Sequence, residues 1–441
     1  MKFSKIALAA TAVCAATAVT AAPNANRIAL SAGASAVQGN VRLAVESLCS
    51  GTGKFPTSFI SGNFTTVVCA NVANLTAAQY ASKPNADFPG FNNLPFAEIR
   101  FNVSNGSFGS VQILNNVSFN FRNPGTGLNT DPTPGGVIIG GISDVETNRF
   151  PDSTIGSNTL ATNTKLGAAQ AFGVAASIDL YTKMFTAQQA AGLIPAVCTV
   201  NSTGLSYCIP NIAKAQMATI MSSNDENAAY AKGLGFLTGV AADDGTELRY
   251  VRRVNTSGTQ AAAQNYFLGL PCSANGLSIV AEPITIDPVG GTIANVKIGG
   301  IRVYGAGGTS NVLTQLNQTD ADLVTAGVQL GVYALGVVSG ENNAPGQTWR
   351  WLRVDGAPIG ENAVPATVGI TNTNTQKNGS YSFFFEATYT GGNITNDGYW
   401  ATIATAFQSL PLAATVGLLG QTELNVGYSK GGSTCLGSSS N

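Results

Sequence analysis

Apolar positions along this chain recur with two different periods, and the period changes several times across a short glycine-bearing turn. Residues 27–31, Arg27-Ile28-Ala29-Leu30-Ser31, form a short apolar run of strand type. After the turn Ala32-Gly33-Ala34-Ser35, the residues Val37, Val41, Ala44, Val45 and Leu48 fall on one helical face. The same change occurs near the middle of the chain. Leu248, Tyr250 and Val251 end a predicted strand, Arg252 and Arg253 follow, and the chain turns through Asn255, Thr256 and Ser257-Gly258-Thr259. An Ala-rich helix then places Ala263, Phe267 and Leu270 on one face.

Other segments repeat the alternation. Phe101 and Val103 lead into a Gly/Ser turn at 104–110, and a Gly/Pro-rich loop at 124–136 precedes the apolar run 137–139. That run ends in the predicted turn Gly140-Gly141-Ile142-Ser143-Asp144. Residues 172–180 read as a strand, 181–193 and 212–221 as helices, and 296–304 as a strand with a glycine loop after it and a helix opening at 312–316. Residues 328–338 are largely apolar, 349–354 and 381–390 are strand-like, and 399–412 is helical in pattern. The glycines at 305–308 lack the lysine of a phosphate loop and predict an ordinary turn. Strands alternating with helices define an α/β class.

Length adds a division. A chain of 441 residues exceeds one ordinary core, so two lobes are expected. Only 10% of residues are charged and 51 are glycine, a mix suited to an exported protein rich in turns. Lys2 and Lys5 precede an apolar run ending in Thr20-Ala21-Ala22, which predicts a secretory signal at 1–21. Cys14 lies inside it. Removing Lys2 and Lys5 from the 22 basic residues leaves 20 against 23 acidic ones, and no basic stripe points to nucleic acid.

Six cysteines follow the signal, and an even number in an exported chain reads as disulfides. Sequence does not fix the pairing; closeness suggests Cys49–Cys69 and Cys198–Cys208, leaving Cys272 with Cys435 in the glycine-rich tail. The chain contains no histidine, which removes histidine-based triads, histidine-ligated metal centres and any histidine general base. No metal or cofactor is expected.

The 248–270 unit has the makings of an anion site. The first N–H groups of a helix lack intrahelical partners and sit at the positive end of its dipole. Gly258 permits close backbone approach, Ser257 and Thr259 carry hydroxyls, and Arg253 presents a planar fork. Ser35 stands at a second such helix start. The same residues would also serve as plain helix caps, and Asp144 as a turn residue bonded to its own backbone.

Taken in this order, the turns VRRVNTSGT, GGISD and SAGASA resemble those of the periplasmic phosphate-binding proteins of phosphate ABC transporters. FGVAASIDLYTKMFTAQQAAGLIP is similar to that family's crossover strand and helix, and WLRVDGAP and YSFFFEATY to its later strands. The resemblance implies a two-lobed type II periplasmic binding fold: lobe one at 22–175 and 366–441, lobe two at 176–365, ligand between them. It implies that Arg253, Ser257, Gly258 and Thr259 hold inorganic phosphate from one side, and Asp144, Ser35, Ala36 and a serine of the 104–110 turn from the other. That serine is Ser107, with Ser110 the alternate. Ala36 stands where the family carries a larger residue, and loops around 50–90, 120–136 and 270–300 are extra.

By the same resemblance the protein is a monomeric solute-binding protein of the periplasm, or a secreted one, serving an inner-membrane ABC permease and having no catalytic residue. A secreted phosphomonoesterase on this scaffold, or a surface protein that kept the fold, are the alternatives.

Overall fold

The computed structural model of the chain describes residues 27–115, 117–131, 136–146, 150, 163–202, 205–223, 232–269, 287–289, 300–318, 324–325, 328–329, 331–342, 348–360, 374–391, 394–410, 418–420, 428–429 and 439–440. The expected signal, Cys14, Leu270, Cys272, Cys435 and most of the tail lie outside them.

Strand β1 (Ile28–Gly33) is buried throughout and runs into helix α1 (Ser35–Leu48), whose Val37, Val41, Ala44 and Val45 are fully buried. A hairpin follows, β2 (Phe55–Ser61) and β3 (Phe64–Ala70), paired along its full length and turned at the left-handed Gly62. Next come β4 (Glu98–Asn102), helix α2 (Gly109–Leu114) and β5 (Val137–Ser143). The long strand β6 (Asn163–Ala176) leads into α3 (Ile178–Ala190) and then α4 (Lys214–Met221). β7 (Leu248–Arg253) enters α5 (Gly258–Ala263), which continues as a π-helical segment to Leu268. β8 (Ile301–Ala306), α6 (Thr309–Leu316), β9 (Ala334–Ser339), β10 (Phe384–Thr390) and α7 (Ile394–Gln408) complete the main elements.

One mixed sheet runs in the order β2-β3-β4-β1-β5-β10-β6-β9-β7-β8, with Asp287–Val289 at its far edge. Two parallel triplets sit within it: β4, β1 and β5 in one part, and β9, β7 and β8 in the other. β6 and β10 lie between, antiparallel to each other and to the strands on either side. β6 serves both parts, pairing through 163–171 with β10 and through 172–176 with β9.

Two large apolar clusters cover this sheet. One gathers α1, α7 and the faces of β1, β4 and β5; Trp400 of α7 stacks on Tyr389 at 5.9 Å and donates its indole N–H to Ile139 O at 2.8 Å. The other gathers α3, α4, α5 and the strands β6 to β9. Phe108, Val111, Val145 and Phe150 from the first half of the chain belong to this second cluster, so packing joins the two parts.

Several expected boundaries move. The glycine turn expected at 140–144 is the end of β5, because Gly140 to Ile142 stay in the ladder with β1, Ser143 pairs with β10, and only Asp144 falls outside the strand. The strand expected at 172–180 ends at Ala176, where its partner β9 runs out, and α3 starts at 178 rather than 181. Strand 349–354 is two short strands, Arg350–Trp351 and Arg353–Val354, on different partners. α7 starts at 394 rather than 399, its first turn being too polar to show an apolar period. The segment 50–90, taken as an extra loop, holds the β2–β3 hairpin and a short helix, Ala77–Ser82, closed by a Thr76–Gln79 capping box.

The disulfides Cys49–Cys69 and Cys198–Cys208 are present, with Cα atoms 5.5 and 5.4 Å apart. The first ties the end of α1 to β3. Among the described residues, no helix is long and apolar enough to cross a membrane.

Candidate functional site

The turns singled out in the sequence meet at the carboxyl ends of parallel strands, where open α/β sheets present their ligand sites. The turn after β1 is fixed to β5 by the Ala34 N–H, which donates to Ile142 O at 2.9 Å. The turn after β4 reaches across to the start of α5, where the Phe108 N–H donates to Thr256 O at 3.3 Å. Gly106 is left-handed at that crossing, and a Cβ there would lie 2.9 Å from Thr256 O.

Asp144 is the centre of this convergence. It is the first residue past β5 and only 2% exposed. The Ser107 hydroxyl donates to Asp144 Oδ2 at 3.2 Å and accepts from the Asp144 N–H at 3.1 Å. Asp144 Oδ1 is buried with no hydrogen-bond partner among the described residues. Burial drives the carboxyl up to about 7, with the Ser107 hydrogen bond and the charge of Arg253 opposing that rise. Gly258 lies directly against the pair. A Cβ at that position would be 2.0 Å from Ser107 Oγ and 2.5 Å from Asp144 Oδ2.

Ser107 and Ser110 differ in what they touch. Ser110 donates to Ser107 O at 2.8 Å, within its own helical turn, whereas Ser107 meets the carboxylate.

Arg253 ends β7 at 8% exposure. Its Nη1 donates to Thr309 Oγ1 at 2.5 Å, and its backbone N–H to Gln260 Oε1 at 3.1 Å. Its Nε is buried without a partner, and among the described residues no direct ion pair joins it to Asp144. Burial lowers the guanidinium to about 10, against the raising influence of Asp144 and Glu341. Ser257 is the N-cap of α5 by backbone geometry but makes no side-chain cap bond; it is buried, as is Thr259. The N–H groups at the start of α5 are those a helix leaves without internal partners.

Ser35 is placed differently from Asp144 and Ser107. It is the exposed first residue of α1, the N-cap is Ala34, and no side chain caps this helix, so neither a capping role nor a contact with the carboxylate is seen for its hydroxyl. Ala36 is buried in the first turn of α1, its N–H among those without an intrahelical acceptor.

Two residues near Arg253 escaped the sequence reading. Thr309, in the stretch the sequence predicted only as a glycine turn, opens α6, and its hydroxyl accepts from Arg253. Glu341 stands two residues past β9, the strand paired in parallel with β7. Ser339 Oγ donates to Glu341 Oε1 at 2.6 Å and Asn342 Nδ2 donates to the same atom at 3.1 Å, while among the described residues the buried Oε2 has no partner. Burial pushes this carboxyl up to about 7, and the charge of Asp144 adds to the rise. The available signal was its place at the end of an apolar run.

A cavity of about 440 Å³ lies elsewhere, lined by Arg27, Phe88, Leu94 and Phe96, and shares no residue with these turns. Among the described residues, no group of three or more cysteine, aspartate or glutamate side chains could hold a metal ion.

No protein-family model matches the chain, and no curated protein matches it in sequence. Among solved structures, the chain is similar to a Clostridium perfringens protein assigned as a phosphate ABC transporter substrate-binding protein, with phosphate bound. The match has 11% identity and a TM-score of 0.40, covering 87% of this chain and 93% of that one.

Proposed function

We propose that this protein is an exported solute-binding protein that captures inorganic phosphate where the turns after β1, β4, β5 and β7 meet. The observation that carries the reading is a pair of buried, unpartnered polar atoms of opposite kind, Asp144 Oδ1 and Arg253 Nε, in one cluster of strand ends. Left empty, each costs free energy. A small oxyanion that still carries a proton satisfies both: a deprotonated oxygen accepts from Arg253, and its O–H donates to Asp144. N–H groups at the start of α5 add donors aligned with the helix dipole.

Selectivity follows from the same atoms. Above pH 7, where Asp144 is mainly ionised, phosphate still keeps one proton, whereas sulfate has none and would set a bare oxygen against the carboxylate. Fully deprotonated oxyanions are therefore rejected by a missing donor rather than by size.

In this reading lobe one comprises 22–175 and 366–441, lobe two 176–365, and β6 and β10 are the crossings between them. Closure of the lobes over phosphate would be the state a membrane permease reads. The two disulfides fit an oxidising compartment outside the cytoplasm.

Titration calorimetry of the purified mature chain with phosphate and then sulfate is the test. Saturable phosphate binding with sulfate much weaker is expected; equal affinity, or binding of neither, removes the proposal. Hydrolysis of a chromogenic phosphate ester, lost in Arg253→Ala, would instead favour a phosphomonoesterase.

A further inference from the structure

Asp144 is not the only acid whose second oxygen is left over. In both carboxylates a neighbouring hydroxyl holds one oxygen, Ser107 for Asp144 Oδ2 and Ser339 for Glu341 Oε1, and the other oxygen is buried with no donor among the described residues. Their supports are parallel strands. Arg253 closes β7 and Ser339 closes β9, the neighbour paired with β7 at Leu335 and Tyr250, so Glu341 is held beside the end of the strand that carries the arginine. Asn342 on the same turn donates to the oxygen already served by Ser339, which leaves Oε2 without a donor among the described residues.

We propose that Glu341 is a second acid of the phosphate site, so that phosphate is held with one proton shared with Asp144 and another shared with Glu341. This rests on the phosphate reading and adds the protonation state of the bound ligand. The groups whose charges reach Glu341 are Arg253, from the end of β7, and Asp144, from the turn after β5. One guanidinium thus feels the charge of both acids. Each acid oxygen that meets a phosphate oxygen needs a hydrogen between them, since two bare oxygens would repel without a bond.

Counting protons gives the consequence. Above neutral pH free phosphate is mainly the dianion, which carries one hydrogen, and both acids are ionised. Two shared contacts need two hydrogens, so binding must take up one proton from solution. Linkage then requires the phosphate Kd to rise about tenfold per pH unit on the alkaline side. With an amide in place of Glu341, the N–H₂ supplies its own hydrogen. The single proton on the dianion suffices for Asp144, and both uptake and slope disappear.

The test is calorimetry with inorganic phosphate at about pH 8 in buffers of different ionisation enthalpy, with Kd followed from about pH 7.5 to 8.5. The wild-type chain is expected to take up close to one proton per phosphate, and Glu341→Gln none, with a Kd nearly independent of pH. Glu341→Ala serves if the glutamine variant does not fold, and it too is expected to take up none. Phosphate binding by the wild type without proton uptake, or full uptake in the folded variant, overturns the role of Glu341 while leaving the phosphate reading standing. Absence of phosphate binding by the wild type removes both.

Discussion

Gly258 and Asp144 occupy positions that exclude a side chain on the first: a methyl group at 258 would approach Asp144 Oδ2 to 2.5 Å. The start of α5 is therefore pressed against the carboxylate that closes β5, with Ser107 Oγ on the same side. Gly258 is not left-handed, so this glycine is required by proximity and not by backbone conformation. Gly258→Ala should force α5 and the 106–108 turn apart at a cost of about 1–3 kcal/mol. Chemical denaturation reads this without any ligand, and an unchanged midpoint would contradict the contact.

Stability should depend on pH through Asp144. Its folded pKa is raised from 3.8 to about 7, so the folded state favours the protonated acid. That contribution is fully present below the unfolded value of 3.8 and is lost as pH rises through about 7. Glu341, raised from 4.5 to about 7, acts in the same direction. The ligand-free protein should then melt at a higher temperature near pH 5 than near pH 8. Asp144→Asn should flatten the profile and gain stability on the alkaline side, on the order of a few kcal/mol at most.

Removing the guanidinium should abolish tight phosphate binding. Arg253→Ala leaves Asp144 and Glu341 without their shared cation and should weaken phosphate by about 2–5 kcal/mol, read as Kd. Arg253→Lys is expected to restore only part of that loss, because an ammonium does not reproduce the planar fork that also holds Thr309.

Selectivity should change with one atom type. An amide at 144 can donate to an unprotonated oxygen, so Asp144→Asn is expected to narrow the phosphate-to-sulfate affinity ratio by admitting sulfate. Competition calorimetry reads the ratio, and an unaltered preference would mean that Asp144 does not face the ligand.

The Cys198–Cys208 bridge closes a short loop beside α3, with both sulfurs buried in a small cluster with Phe185 and Ile194. Cys198→Ser with Cys208→Ser should cost roughly 2–3 kcal/mol of stability by the loop-entropy argument. Phosphate affinity should be little changed, since no residue of this cluster belongs to the strand-end turns.

Much of the outline was legible because it is written locally. The helical face of Val37, Val41, Ala44 and Val45, the strand through Leu248, Tyr250 and Val251 (which in the fold runs on through Arg253), the glycine before an Ala-rich helix and the two short-range disulfides each depend on residues close in sequence. Side-chain period, capping chemistry and loop closure act over a few residues, and so the chain states them. Other features needed the third dimension. That Gly140 and Gly141 stay in a strand follows from the neighbouring ladder of β1, and that Ser107 rather than Ser110 meets Asp144 follows from where β5 delivers that carboxylate. Thr309 and Glu341 carry no motif, and only the parallel alignment of β7, β8 and β9 sets their turns beside Arg253. Sequence determined which segments could end at a ligand; packing decided which ends meet, because strand pairing is a contact between distant residues and leaves no trace in local spacing.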